Sequence, residues 1–339
     1  MAMTSKTGVA GAQFGRLLQN PSSGALALVA VLAVAMSMAF PAFPTGTNAG
    51  NIANQMVFVV LLALGMTVVL ITGGIDLSVG SVMGLSAGIG AYTITTGVPL
   101  FLGLLAAVAA GGFLGFINGL LITRLGLPDF IATLAMLGVA RGVLFLWTNG
   151  VPLTGYMLPE YYIISGLEQP FGFLTVPMLL AIAAVLAVGL LLKATGFGRH
   201  AYGIGSNPQA ALLSGVPVNR IKVTAYVISG LTAGVAGMLM AGRTMTVAPT
   251  MGIGFELSAI AAAVIGGAAL TGGRGTAFGA LTGALVLSIT ANAINISGVS
   301  SAWQQVVIGA VLLLAVVFDR VSSLLRERSA RLRIKPVHV

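Results

Sequence analysis

The sequence predicts an all-α, polytopic helical membrane protein, and three observations carry that prediction. Of its 339 residues, 57% are hydrophobic and 7% charged, with a mean hydropathy of +1.04; soluble domains carry about 25% charged residues. The apolar residues gather into about ten runs, most of them near the roughly 20 residues that a bilayer-spanning helix needs. Glycine is abundant, at 47 residues, as close helix packing in lipid requires. The absence of cysteine excludes disulfides and thiolate metal sites. A net charge of +9 would point to nucleic acid in a soluble protein. Here the basic residues sit at the ends of apolar runs, which fits topology and anionic membrane lipid, and no nucleic-acid partner is expected.

Taken in order, residues 1–23 carry Lys6 and Arg16 and read as a cytoplasmic N-terminal segment. The apolar run from Gly24 to Phe40 exceeds the roughly 7–15 residues of a signal-peptide core, so it reads as a retained first helix. The expected spans are 24–43, 53–73, 78–96, 99–123, 130–149, 173–192, 223–243, 257–272, 276–297 and 302–318. Span 257–272 is short and 78–96 is rich in Gly, Ser and Thr, so either is open to being a half-helix or re-entrant piece.

Ten spans place both termini on one side. Fourteen of the 16 Lys and Arg residues then fall on that face, leaving Arg141 and Arg243. The excess of basic residues makes the face cytoplasmic. The transmembrane domain is thus 24–318, with an outward loop at 150–172, an inward loop at 193–222 and a basic cytoplasmic tail at 319–339. The three tyrosines of 150–172 fit the interfacial belt, with a docking rim for an outside partner as the alternative.

Loop 193–222 has internal punctuation. In Gly205-Ser-Asn-Pro-Gln-Ala-Ala-Leu-Leu-Ser-Gly215, Asn207 suits a helix cap, Pro208 the first helical position and Gly215 the residue past the end. The result is a helix of about two turns in which Ala210, Ala211, Leu212 and Leu213 are available for packing. It serves either as a connector on its own membrane domain or as a coupling helix held by a cytoplasmic partner.

Polar groups inside apolar spans are the candidate functional residues. Asp76 is the only acid in the first 128 positions and follows Gly73-Gly74. Its spacing fits a turn with Asp76 starting the next helix, and fits equally a place on a solute path. Ser78, Asn118, Glu256 and Asn292 join it as candidates for a translocation pathway. Arg141 lies in mid-span and is expected to pair with an acid or with helix-end carbonyls, as a structural charge. Ile75-Asp-Leu-Ser78 echoes Phe255-Glu-Leu-Ser258, and Gly115/Gly119 echoes Gly279/Gly283, a weak internal duplication. Two histidines and four lysines, none in a phosphate-binding loop, leave no catalytic site, metal cluster or nucleotide site in this chain.

The stretch Gly65-Met-Thr-Val-Val-Leu-Ile-Thr-Gly-Gly-Ile-Asp-Leu-Ser-Val-Gly-Ser81 resembles the signature of the membrane permease subunits of ribose-type bacterial ATP-binding-cassette importers. Four further blocks resemble the same family in the same order: Phe130–Leu134 with Arg141-Gly142, Gly205–Pro217, Tyr226–Gly237, and Glu256–Gly267 running into Gly272–Gly275. The resemblance runs from about Asn51 to Asp319. It implies a subunit without its own ATPase site that moves a monosaccharide, pentose or hexose, by alternating access across the bacterial inner membrane. It also implies an ATPase partner that binds ATP and magnesium, a periplasmic sugar-binding protein, and a second permease subunit, either a copy or a paralogue. The ATPase-contacting loop falls on Gly205, Asn207, Pro208 and Ala210–Gly215. Ser258 and Asp129 depart from the family pattern, which often has a second acid and a small or amide residue there. An ion-coupled secondary sugar transporter, using Asp76 and Glu256, is the alternative.

Overall fold

The structure is a computed structural model, in which residues 21–154, 164–166, 174–314 and 317 are described. Most of the N-terminal segment, most of loop 150–172 and the tail 319–339 lie outside the described residues. The helices are α1 (Pro21–Ala39), α2 (Gly46–Ile71), α3 (Val79–Thr95), α4 (Leu100–Arg124), α5 (Asp129–Thr148) and α6 (Val176–Ala194). Then come α7 (Gly196–Ser206), α8 (Pro208–Leu213), α9 (Val218–Thr244), α10 (Phe255–Ile265), α11 (Ala277–Ile296) and α12 (Ala302–Leu314). No strand occurs among the described residues, so the all-α class holds.

Each of the ten expected spans has an apolar helix as its counterpart. Six of these (α2, α4, α5, α6, α9 and α11) are long and apolar enough to cross a membrane, while α1, α3, α10 and α12 offer shorter apolar stretches. Of the forms left open for span 257–272, the half-helix is the one seen, with its end corrected: α10 has 11 residues and stops at Ile265. At 1.5 Å per residue it covers about 16 Å, roughly half the hydrocarbon core. The cause is local: Gly267, Gly272 and Gly273 take φ of +93°, +91° and +73°, which turns the chain instead of continuing the helix. Gly73, at φ +78°, ends α2 in the same way just before Asp76.

Threonines and an asparagine start several helices. Thr45, Thr175 and Thr276 accept from the backbone N–H three residues on, opening α2, α6 and α11. Asn207 Oδ1 accepts from Ala210 N at 3.0 Å and opens α8, with Pro208 following it.

Two helices organise the bundle. In the most apolar window of α2, 83% of residues are buried, against 28% in α4, α5 and α6, so α2 is an interior helix. The long α9 packs on α2, α3 and α4. It lies so close to α4 that a Cβ on Gly111 would strike the Gly230 carbonyl, and one on Gly115 or Gly119 would meet Tyr226 or Val223. Gly279 and Gly283 make the same kind of approach to Gly266 and Ala262 at the end of α10. Both glycine pairs that echo each other in sequence are therefore helix-packing contacts.

Three distant segments meet without intervening side chains at one end of the bundle. Gly273 N donates to Ile71 O at 3.0 Å, and Gly205, near the end of α7, packs against both of those residues. From this junction α8 projects, with Ala211 buried and Leu212 and Leu213 65% and 89% exposed. Arg141 on α5 is half-buried. Its Nε and Nη2 find no hydrogen-bond partner, so the expected pairing is not formed among the described residues. Its buried neighbours along α5, Ala140 and Leu144, offer no side-chain acceptor.

Candidate functional site

Polar side chains concentrate in two places. The first lies in the break between α2 and α3. Glycines there let the chain leave the helix, and Asp76, 2% exposed, must find donors inside the protein. It does. Asp76 Oδ1 accepts from Ser78 N at 2.9 Å and Ser78 Oγ at 2.6 Å, and Oδ2 accepts from Ser229 Oγ of α9 at 2.7 Å. Asn118 Nδ2 of α4 donates to Ser78 Oγ at 2.9 Å, which extends the network to a third helix. One residue earlier, the Ile75 carbonyl accepts from Tyr226 and Thr133 hydroxyls, each at 3.3 Å. The break is thereby tied to α4, α5 and α9.

The second place is a cavity of about 750 Å³, within the roughly 300–1,000 Å³ typical of small-molecule sites. Its walls are the start of α2 (Asn48, Asn51, Gln55), the last turn of α9 (Arg243), the segment around Gly254, the end of α11 (Asn292, Asn295) and the start of α12 (Gln304, Gln305). Among the described residues, seven of the lining are Asn or Gln, one is Arg and none is Asp or Glu. Phe58 and Phe255 add two aromatic faces. Asn48 and Asn292 donate to each other's Oδ1, at 3.1 and 2.8 Å, closing α2 onto α11 beside the cavity. Arg243 has no ion pair or side-chain hydrogen bond among the described residues. Such a lining offers many neutral donors and acceptors and a single cation. Among the described residues no cluster of His, Asp or Glu is placed to hold a metal ion.

The structure brings Asp76, Ser78 and Asn118 together in the interior network, and none of them lines the cavity. Asn292 does line it. Glu256 sits between the lining residues Phe255 and Leu257, yet its Oε1 accepts from Gly254 N at 3.3 Å and its Oε2 is buried against Gly80 without a hydrogen-bond partner. The amides of α2 and α12, and Arg243, were not among the sequence candidates. Arg243 carried a readable signal, since with Arg141 it is a basic residue placed off the inward face.

Comparison with known proteins places this geometry. The model of the family described as "Branched-chain amino acid transport system / permease component" matches residues 48–316. The ribose import permease protein RbsC of Bacillus subtilis (strain 168) is 41% identical over 293 residues, covering 86% of this chain and 91% of the relative. RbsC of Escherichia coli (strain K12) is 37% identical, covering 87% and 92%. The L-arabinose ABC transporter permease protein AraH of Azospirillum brasilense is 36% identical, covering 88% and 87%. No solved structure matches the chain. The apolar helices and these relatives mark a multi-pass protein of the bacterial inner membrane. With most of its length matched, the chain belongs to this family of transport-system permease components, alongside the ABC sugar permeases.

Proposed function

We propose that this chain is the membrane permease subunit of an ATP-driven importer and carries a monosaccharide, pentose or hexose, by alternating access. The cavity carries the reading. Seven amides and two phenylalanine faces suit a neutral, hydroxyl-rich ring, whose hydroxyls both donate and accept. A branched-chain amino acid, named in the family description, brings an ammonium that calls for a carboxylate, and the lining has none among the described residues. The relatives' names, ribose and L-arabinose permeases, agree with the sugar. They also favour an ATP-driven importer over the ion-coupled alternative.

In this reading the cavity faces outward, away from the 14 basic residues, and takes solute from a periplasmic sugar-binding protein. Asn292 contacts the solute, while Asp76, Ser78 and Asn118 hold the helix break between α2 and α3. ATP and magnesium are bound by a partner ATPase that grips α8, whose Leu212 and Leu213 are exposed. A second permease subunit completes the membrane assembly. Two conformations with different solute affinity suffice for transport, and the ATPase biases them.

The test is uptake into proteoliposomes holding this chain with its ATPase and binding protein, using labelled ribose, arabinose and leucine. ATP-dependent sugar uptake that falls at least about tenfold in Asn51→Leu and Gln305→Leu, the loss of one or two good hydrogen bonds, is expected. Leucine uptake in place of sugar overturns the substrate class. Uptake that follows an ion gradient without ATP overturns the importer.

A further inference from the structure

We infer that Arg141 of α5 and Glu256 of α10 are the two halves of an ion pair that forms only in the transport conformation in which the cavity is closed to the outside. The inference rests on the alternating-access reading above and assigns it a pair of switching residues. In the conformation described here both residues are half-buried and incompletely bonded. Arg141 Nε and Nη2 have no hydrogen-bond partner among the described residues, and neither does Glu256 Oε2. Ser81 Oγ, on a side chain 2% exposed, is a third unpartnered group in the same region. Unpaired charges are costly away from water, so a conformation that joins them is stabilised by their meeting.

The packing of α3 brings the two charges to one level. Glu256 Oε2 lies on Gly80, close enough that a Cβ there would strike it. One turn further along α3, a Cβ on Gly84 would meet both the Met251 carbonyl and Leu144 of α5. α3 and α5 run in the same direction. Thr133 donates to the Ile75 carbonyl near their starts, and the Tyr92 and Trp147 rings meet edge to face near their ends, with centroids 5.1 Å apart. Arg141, three residues before Leu144, therefore stands level with Gly80 and Ser81. Gly80 and Gly84 add no side chain of their own to that face of α3.

Glu256 holds the place in Phe255-Glu-Leu-Ser258 that Asp76 holds in Ile75-Asp-Leu-Ser78. Asp76 takes three hydrogen bonds, two from Ser78 and one from Ser229. Glu256 takes one, from Gly254 N at 3.3 Å, while Ser258 turns its hydroxyl to the Gly254 carbonyl instead. The first acid is locked, and the second is free to take a new partner. The helices that carry the two charges are also free to shift against each other. α5 packs on α3 and α4, and α10 on α2 and α11, with little direct packing between them. Gly252 and Gly254, at φ +84° and +83°, form the turn ahead of α10. A shift of α5 along α3 thus carries Arg141 toward Glu256 without breaking an interface between their own helices.

The chain has no cysteine, so an Arg141→Cys/Glu256→Cys variant can be joined by a short bifunctional thiol reagent without background. The full-length permease, with its ATPase and binding protein in nanodiscs, is compared without nucleotide and with a non-hydrolysable ATP analogue. A separate Asn51→Cys variant, labelled by a membrane-impermeant maleimide, reports in which state the cavity is closed. The cross-link within one chain is expected to form at least about threefold faster in the closed state, as a population shift requires. Equal rates in both states, or a faster reaction in the open state, overturn the switch. A cross-link found only at the mass of two chains overturns the pairing within one. In ATP-driven sugar uptake, Arg141→Glu and Glu256→Arg should each fall at least about tenfold, and the swapped double variant should recover to within about threefold of wild type, because the swap restores a pair that each single change turns into a like-charge contact. A swapped variant that assembles with the ATPase and stays as slow as the single ones overturns the pair while the importer reading stands. Wild-type protein without ATP-driven uptake overturns the importer reading itself. Either readout decides alone where the other variant does not assemble.

Discussion

Replacement of Asp76 by leucine removes the acceptor of three hydrogen bonds in the break between α2 and α3. The three donors recover differently. Ser229 Oγ lies on α9 and can turn to the carbonyl of Ala225 one turn earlier, and Ser78 Oγ still accepts from Asn118. The Ser78 N–H is held in place and is left buried without a partner. That orphan costs about 1–3 kcal/mol, and the two weakened hydroxyl bonds about 0.5–1.5 kcal/mol each, roughly 2–6 kcal/mol in all. At about 2 °C per kcal/mol for a long chain, melting should drop by roughly 4–12 °C. Fluorescence-detected size exclusion after heating in mild detergent reads this directly. Asp76→Asn keeps an acceptor for Ser78 and offers an N–H to Ser229, so it should stay within about 2 °C of wild type. If Asp76→Leu melts with wild type, the network does not hold the break. If Asp76→Asn falls as far as Asp76→Leu, charge and not hydrogen-bond acceptance is the stabilising property.

Three further outcomes are expected. Gly111→Ala places a methyl against the Gly230 carbonyl and should cost about 1–3 kcal/mol, whereas Gly138→Ala on α5, with open space around it, should gain about 0.5–1 kcal/mol; the same melting assay orders them. Asn48→Ala and Asn292→Ala each orphan the other amide, so a double-mutant cycle on melting should return a coupling of about 1–2 kcal/mol. Tyr202→Phe loses a 2.7 Å bond to the Gly275 carbonyl, about 1 kcal/mol. Burial holds the Tyr202 phenol above its usual value of 10, so its contribution is present below that pH and lost only as pH rises beyond it; the offset between Tyr202→Phe and wild type should be constant from about pH 7 to 9.

The apolar runs made the helices legible, because burial in lipid and burial in protein demand the same residues. Local chemistry also showed through: Asn207, Pro208 and Gly215 mark the bounds of α8 closely. At 257–272 only the bound misled, since the apolar residues around Gly266-Gly267 and Gly272-Gly273 extended the expected helix seven positions past Ile265. The site was less legible. An acid in an apolar run announces that it needs donors, and Asp76 finds them in Ser78 and Ser229; composition cannot say whether those donors belong to the protein or to a solute. The cavity escaped for the opposite reason. Its amides stand at helix ends from Asn48 to Gln305, where polar residues are ordinary, and only the fold gathers them.

The bond between Ile71 and Gly273 has a consequence for how the protein is made. Its two halves lie 202 positions apart (273 − 71), so at roughly 5–20 residues per second the ribosome needs about 10–40 s after Ile71 before Gly273 exists. The helices that enclose α2 most fully, α9, α10 and α11, are also synthesised during or after that interval. During that wait α2 must reside in lipid, and its composition permits this, since its hydropathy of 2.3 is that of a membrane span although its final surroundings are protein. The innermost helix is thus inserted early and enclosed late. Variants that slow its enclosure would expose α2 longest to membrane quality control, whatever their effect on the finished protein.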